Sequence, residues 1–413
     1  MKKTISVLAL SSIVIAGSAL ASGYRIPEQS VDSTAKAGAN ISSATGADMS
    51  YYNPANMSWA KDTYQFEMDV NYIRLPSVTY EDSRNPLMNG YSREENFLIP
   101  TFFLVSPDFN NFRFGLSMTA PYGLSKRWDQ IFPRASAEEY SLNVLEMNPS
   151  VSYKINDMFS VAGGVRMIYG SAKVSSHAAV IDQGTLSRDM DGDAFEFGYN
   201  VAISHTPTDD MNISVTYRSN VDLDLDGDVT MATTMGGAYT MDTGGSVSIP
   251  APAILSVSFA YTFGPATIDL VWDRTFWSEY DSINFSYDDS VTHPVLSQYF
   301  TPAVPKNWDD SDAFRVGLDY VLDGGVTVMA GFTYDQTPVP TDTLGFELPD
   351  SNAWLYSIGF KYNLTERLEM GFAYLYDYKE KRTVVNGSAS SGINGEFSDS
   401  AAHLMSVGFK YDF

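Results

Sequence analysis

The stretch Ala402-His403-Leu404-Met405-Ser406-Val407-Gly408-Phe409-Lys410-Tyr411-Asp412-Phe413 ends the chain and decides its fold. Met405, Val407, Phe409, Tyr411 and Phe413 share one face of an extended strand, and Ser406, Gly408, Lys410 and Asp412 share the other. The same period of two appears upstream. Tyr64, Phe66, Met68, Val70 and Tyr72 alternate with Gln65, Glu67, Asp69 and Asn71; Phe314, Val316, Leu318 and Tyr320 alternate with Arg315, Gly317 and Asp319. Leu368, Met370, Phe372, Tyr374 and Tyr376 alternate with Glu369, Gly371, Ala373, Leu375 and Asp377. One face is greasy while the other carries every charge, and these runs of nine or more residues exceed the usual sandwich strand. That is a lipid face and a lumen face, because Arg or Lys on the lipid side at the midplane costs about 2–4 kcal/mol.

A terminal strand ending on an aromatic residue resembles the closing strand of a bacterial outer-membrane barrel. Strands are expected at about 64–72, 97–106, 111–120, 140–155, 158–175, 193–206, 210–223, 247–263, 265–276, 312–322, 325–336, 352–363, 366–380 and 402–413. The sequence therefore predicts an all-β fold, a transmembrane antiparallel β-barrel of 14 strands over residues 62–413. Short turns such as Asn156-Asp157 and Thr208-Asp209 alternate with long loops at about 76–96, 121–139, 176–192, 224–246, 277–311, 337–351 and 381–401. Long loops face outward and short turns face the periplasm.

Composition agrees. The 26 Tyr, 24 Phe and 6 Trp are many for a mean hydropathy of −0.15, as suits strands with one lipid face and aromatic girdles. Lys2 and Lys3, an apolar run from Ile5 to Leu20 and Ala19-Leu20-Ala21 read as a secretory signal peptide over residues 1–21. Its removal takes the formal charge from −24 to −26, the two lysines lost, which disfavours nucleic acid as a partner. Without cysteine there are no disulfides or thiolate sites. Residues 22–61 do not alternate, and are too few and too polar to form their own core.

At this point the residues resemble the FadL family of outer-membrane transporters for long-chain fatty acids and other hydrophobic compounds. The resemblance rests on Asn53-Pro54-Ala55, Tyr122-Gly123-Leu124, Thr216-Tyr217-Arg218-Ser219, Asp312-Ala313-Phe314-Arg315 and Asp335-Gln336-Thr337-Pro338-Val339-Pro340, in order across the strands. It implies that residues 22–61 form a hatch that plugs the lumen, with Asn53, Pro54 and Ala55 as its motif. It also implies passive uptake and lateral exit through a gap beside a kinked third strand, here about Asn111 to Ala120, ending at Pro121. The expected partners are a hydrophobic small-molecule substrate, outer-membrane lipid and lipopolysaccharide. No cofactor and no enzyme activity are expected, and a closed barrel has no strand edge that requires a second copy, so a monomer is expected.

Two departures bear on the substrate. The 176–192 and 224–246 loops are shorter than those forming the docking groove of fatty-acid carriers. Where such carriers hold basic residues for the carboxylate, the chain has Ser175-Ser176 and Asp310-Ser311, which leaves Lys173 and Arg315 as candidate contacts and neutral aromatic hydrocarbons as an alternative cargo. A structural or adhesive barrel using acidic loops is the alternative from another class. Trp128, Ile131 and Phe132 are candidate docking residues, and Val271, Met329, Leu355 and Leu375 are apolar where an aqueous channel would favour polar side chains. Asp222, Asp224, Asp226 and Asp228 imitate a calcium loop, but its twelfth position is Thr233; a strand edge is expected, and no metal site. The scattered histidines, and the absence of G-x-S-x-G and H-E-x-x-H, supply no catalytic motif.

Overall fold

The computed structural model describes residues 23–180, 182–385 and 392–413, so the signal peptide expected at 1–21 lies outside the described residues. Sixteen long strands follow in chain order. They are β1 Gln65–Leu75, β2 Glu95–Val105, β3 Phe112–Arg127, β4 Glu139–Lys154, β5 Phe159–Val180, β6 Gly184–Thr208, β7 Met211–Arg218 and β8 Val221–Thr233. Then come β9 Tyr239–Ala251, β10 Ile254–Phe263, β11 Ala266–Thr275, β12 Ser311–Leu322, β13 Val326–Asp335, β14 Ala353–Asn363, β15 Leu368–Lys379 and β16 Ala401–Asp412.

Fourteen of them close a ring. Antiparallel neighbours run from β1 through β7, pass to β10 and continue to β16, which pairs back with β1 from Gln65↔Asp412 to Arg74↔His403. Closure gives every ring strand a neighbour on both sides, the condition for strands at membrane depth. The alternation places Gln65, Glu67, Asp69 and Asn71 inside and buried, while Phe314, Val316, Leu318 and Tyr320 stand outside and exposed.

β8 and β9 leave the ring. They form a hairpin, with Asp226–Thr233 laid against Leu186–Asp193 of β6. β5 and β6 likewise stay in register up to Val180↔Gly184. Residues 176–192 and 224–246, expected as loops, are therefore mostly strand. The reason is that period two persists above the membrane: Leu223, Leu225, Val229 and Met231 face in and are buried, while Asp222, Asp224, Asp226 and Asp228 face out. The acidic face reads as a turn until its register is known.

Residues 23–59 lie inside the ring, almost all buried. They carry α1 Val31–Ala35, capped by Ser30 whose hydroxyl accepts from the Ser33 N–H, then α2 Met49–Tyr52 and a 3₁₀ turn at Pro54–Trp59. Strand side chains take up this segment's carbonyls: Ser357 donates to Ala35 O and Thr333 to Ala37 O, each at 2.7 Å. Inward glycines make room. A Cβ on Gly331 would stand 2.1 Å from the Lys36 carbonyl carbon, and one on Gly359 would stand 2.5 Å from the Ala35 Cβ. Gly331→Val should therefore displace the segment and leave the barrel intact. Protease should cut within residues 31–58 of the variant and not of the parent, with heat-modifiable gel mobility of both unchanged.

Candidate functional site

β2 and β3 are bonded to each other only over Phe102–Val105 and Gly115–Met118. Above that the wall parts. β2 stays with β1 along its whole length, and β3 stays with β4 but shifts register between Thr119 and Tyr122. Two prolines flank the break, Pro100 on β2 and Pro121 on β3. Proline donates nothing to a ladder and belongs at an unpaired edge. The expectation that the third strand ends at Pro121 is thus corrected: it bends there and runs on to Arg127.

The N-terminal segment supplies the missing partners from inside. Ile26 N–H donates to Pro121 O at 2.8 Å, and Gly123 N–H donates to Tyr24 O at 2.9 Å. The Gln29 carboxamide holds both backbone groups of Ala120, accepting from its N–H at 2.9 Å and donating to its carbonyl at 3.0 Å. Across the break, Thr101 of β2 donates to Gln29 O at 2.7 Å. One buried residue therefore joins the two strands where they do not join each other. Around it Ile26, Ile73, Phe97, Ile99, Ala120, Leu355, Leu375 and Leu404 form an apolar cluster.

Of the motif residues, Asn53 donates to Ser204 and Ser214 on β6 and β7, each at 2.9 Å. Pro54 opens the 3₁₀ turn, and Ala55 O accepts from Ser160. Val271 packs on Ala39 and Ile41, and Met329 on Val31 and Ala35. The inward apolar residues thus meet the N-terminal segment, with Leu355 and Leu375 nearest the break.

Trp128, Ile131 and Phe132 do not form one surface. Trp128 is fully buried and donates to Phe346 O at 2.8 Å, because β3 turns inward after its bend. Phe132 is partly buried against Tyr80 and Phe346, while Ile131, in α3 (Ile131–Ala137), is exposed. Lys173 shares the outward face of β5 with Tyr169 and binds Glu139 at 2.8 Å. Arg315 is buried inside but committed to Asp273 at 3.0 Å, with Asp335 at 3.5 Å and Glu28 at 3.8 Å. Neither is a free cation in the lumen.

A different inward cation lacks a carboxylate and is hydrogen-bonded to Tyr140. Arg188 faces inward from β6, directly across the ladder from Ser176 on β5 and Met231 on β8. It is 6% exposed, its guanidinium carbon lies 4.1 Å from the centre of the Phe285 ring and 5.0 Å from that of Phe300, and its Nε has no hydrogen-bond partner. Among the described residues no carboxylate pairs with it. Val174, Leu186, Met190, Met231 and Phe300 complete an apolar cluster, and Tyr140 and Phe285 join it to a second one containing Trp128, Leu142, Ile168 and Tyr24. Sequence reasoning missed Arg188 because it lies within 176–192, expected as a loop; carrying the period of the expected 193–206 strand upstream of Asp193 would have placed it inside.

The chain matches the family model described as outer membrane protein transport protein (OMPP1/FadL/TodX) over residues 12–413. It is 25% identical to a long-chain fatty acid transport protein of Escherichia coli O6:H1, covering 99% of this chain and 98% of that one. It is 24% identical to outer membrane protein P1 of Haemophilus influenzae, covering 99% of each. Among solved structures, a Pseudomonas aeruginosa FadL homologue shares the fold with a TM-score of 0.84 at 21% identity, covering 95% of this chain and all of that one. The toluene transporter TodX of P. putida shares it with a TM-score of 0.71 at 16% identity, covering 93% and 98%.

Gln29→Ala removes both bonds to Ala120 and leaves a buried N–H and C=O unpaired, about 1–3 kcal/mol. Amide exchange at Ala120 should accelerate roughly tenfold or more, while Gly115–Met118 stays unchanged.

Proposed function

The chain belongs to the OMPP1/FadL/TodX family of outer-membrane transport proteins, and from that premise we propose that it takes up long-chain fatty acids and releases them sideways through the break between β2 and β3. Residues 22–61 act as the hatch, residues 62–413 as the barrel, and residues 1–21 as the cleaved signal peptide.

The observation that carries the fatty-acid reading is Arg188. A buried guanidinium with no carboxylate of its own, set among aromatic and aliphatic side chains, suits a ligand that brings a carboxylate and a long apolar tail. It stands opposite Ser176, so the cation comes from the neighbouring strand. From there apolar clusters run past Trp128 and Tyr24 to Ile26 and Ala120 at the break. Each methylene moved from water onto such a lining gains about 0.8 kcal/mol. Sideways release keeps the tail in apolar surroundings throughout. The opposite end favours it too: the periplasmic cavity of about 850 Å³ is bordered by Asp32, Lys36, Asp209, Asp210, Lys361 and Glu369, a poor route for a hydrocarbon.

Neutral aromatic hydrocarbons are the second reading, favoured by Ser176 and Ser311 and by the ion pairs that occupy Lys173 and Arg315. Uptake of labelled oleate and of toluene, in cells lacking their own fatty-acid transporter, separates the two. Oleate uptake should appear with the native chain and fall about tenfold or more in Arg188→Met, the scale of one charge-assisted contact, with any toluene uptake unchanged. Oleate uptake that ignores the substitution moves the assignment to neutral cargo. The chain has no cysteine, so Arg25→Cys with Tyr122→Cys, a bridged pair, can lock the segment to β3. Oxidation should stop uptake and reduction restore it; transport undiminished in the oxidised protein argues against exit at the break.

A further inference from the structure

The seat beneath the N-terminal segment holds more buried acid than buried base. Asp32 and Asp48 of the segment and Glu67 and Asp69 of β1 are each 3% exposed or less. Facing them are Lys361 of β14 and Lys410 of β16, both bonded to Asp32, at 2.8 and 2.7 Å. Lys410 reaches Glu67 only at 3.8 Å. Lys36, the segment's own cation, is committed to Asp319 of β12 at 3.2 Å, and Glu369 of β15 adds another acid 3.8 Å from both seat lysines. β2 contributes only the uncharged Thr101.

Four buried carboxylates against two ammonium groups leave two negative charges over, three with Glu369. The hydrogen bonds do not absorb them. Glu67 accepts from Asp48 N–H at 3.1 Å, Asp69 from Val31 N–H at 3.3 Å, and Asp48 from Ser30 and Asn40, each at 2.8 Å. One oxygen of each, Asp48 Oδ1, Glu67 Oε1 and Asp69 Oδ2, is buried with no hydrogen-bond partner. Unpaired charge at such depth is poorly solvated, and a carboxylate escapes that by binding a proton.

We propose that the seat holds at least one proton, shared among Asp48, Glu67 and Asp69 near neutral pH, and that seating of the N-terminal segment is coupled to its uptake. The link to gating rests on the hatch reading above; the proton itself does not. Once the segment leaves, water reaches the acids and they ionise in their ordinary range. The seated form therefore binds more protons, so seating is retained as pH falls and weakens as pH rises, tenfold per pH unit for each proton released. Asp32 acts in the opposite sense. Burial opposes its charge, but Lys361 and Lys410 hold its carboxyl well below the usual range, so its contribution is lost only in strong acid.

Infrared spectroscopy of the full chain in lipid vesicles tests this. A protonated-carboxyl C=O stretch is expected near pH 7, weakened in Glu67→Gln and in Asp69→Asn. Hydrogen exchange of residues 31–58, taken relative to barrel amides in the same sample, is expected to rise from about pH 6 to about pH 10 in the parent and to stay flat in the double variant. A band that neither substitution weakens, or segment exchange with no pH dependence, overturns the proposal. Asp48→Asn replaces a variant that fails to fold. Loss of the transport reading, by absent oleate uptake in the parent, leaves the band as an independent result.

Discussion

A backbone N–H or C=O at membrane depth needs a partner, and this structure is arranged around that constraint. Fourteen strands meet it by closing on themselves, β16 against β1. The ring falls short where Pro100 and Pro121 face the parting of β2 and β3. There the partners come from Tyr24, Ile26 and Gln29 of the N-terminal segment. Barrel and N-terminal segment each complete the other.

The seat of that segment is built by subtraction on one side and by charge on the other. Gly331 and Gly359 remove side chains so that α1 lies against the wall, at distances no larger residue tolerates. Glu67, Asp69, Lys361 and Lys410 supply the polar grip. The contact is close at the glycines and charged toward the periplasmic cavity, which Asp32, Lys361 and Glu369 border.

The division between outer and inner chemistry follows from the same parity. Polar ring positions meet the periplasm and, with Val271, Met329 and Ala373 between them, the segment. Apolar ones gather above it, from Arg188 and its aromatic neighbours down to Ile99 and Ala120. Strand count and the lipid and lumen faces of the cleanly alternating strands were legible in the sequence, because a period of two is local; the run of β3 past Pro121 was not, since the resemblance implied a strand that stops there. Arg188 was hidden: its strand runs above the membrane, where composition resembles a loop. Lys173 was legible as a cation, but its face was not followed past the membrane.

By itself the sequence determined a closed antiparallel barrel, which positions face lipid, and that residues 22–61 need an enclosure, since all three follow from local alternation and from too little apolar surface. Only the tertiary structure decided which residue bridges the wall, which buried cations lack a carboxylate and how many acids share the seat. Those depend on side chains brought together from opposite ends of the chain, Gln29 with Ala120, Asp32 with Lys410, Arg188 with Phe300. Spacing along a strand carries no information about them.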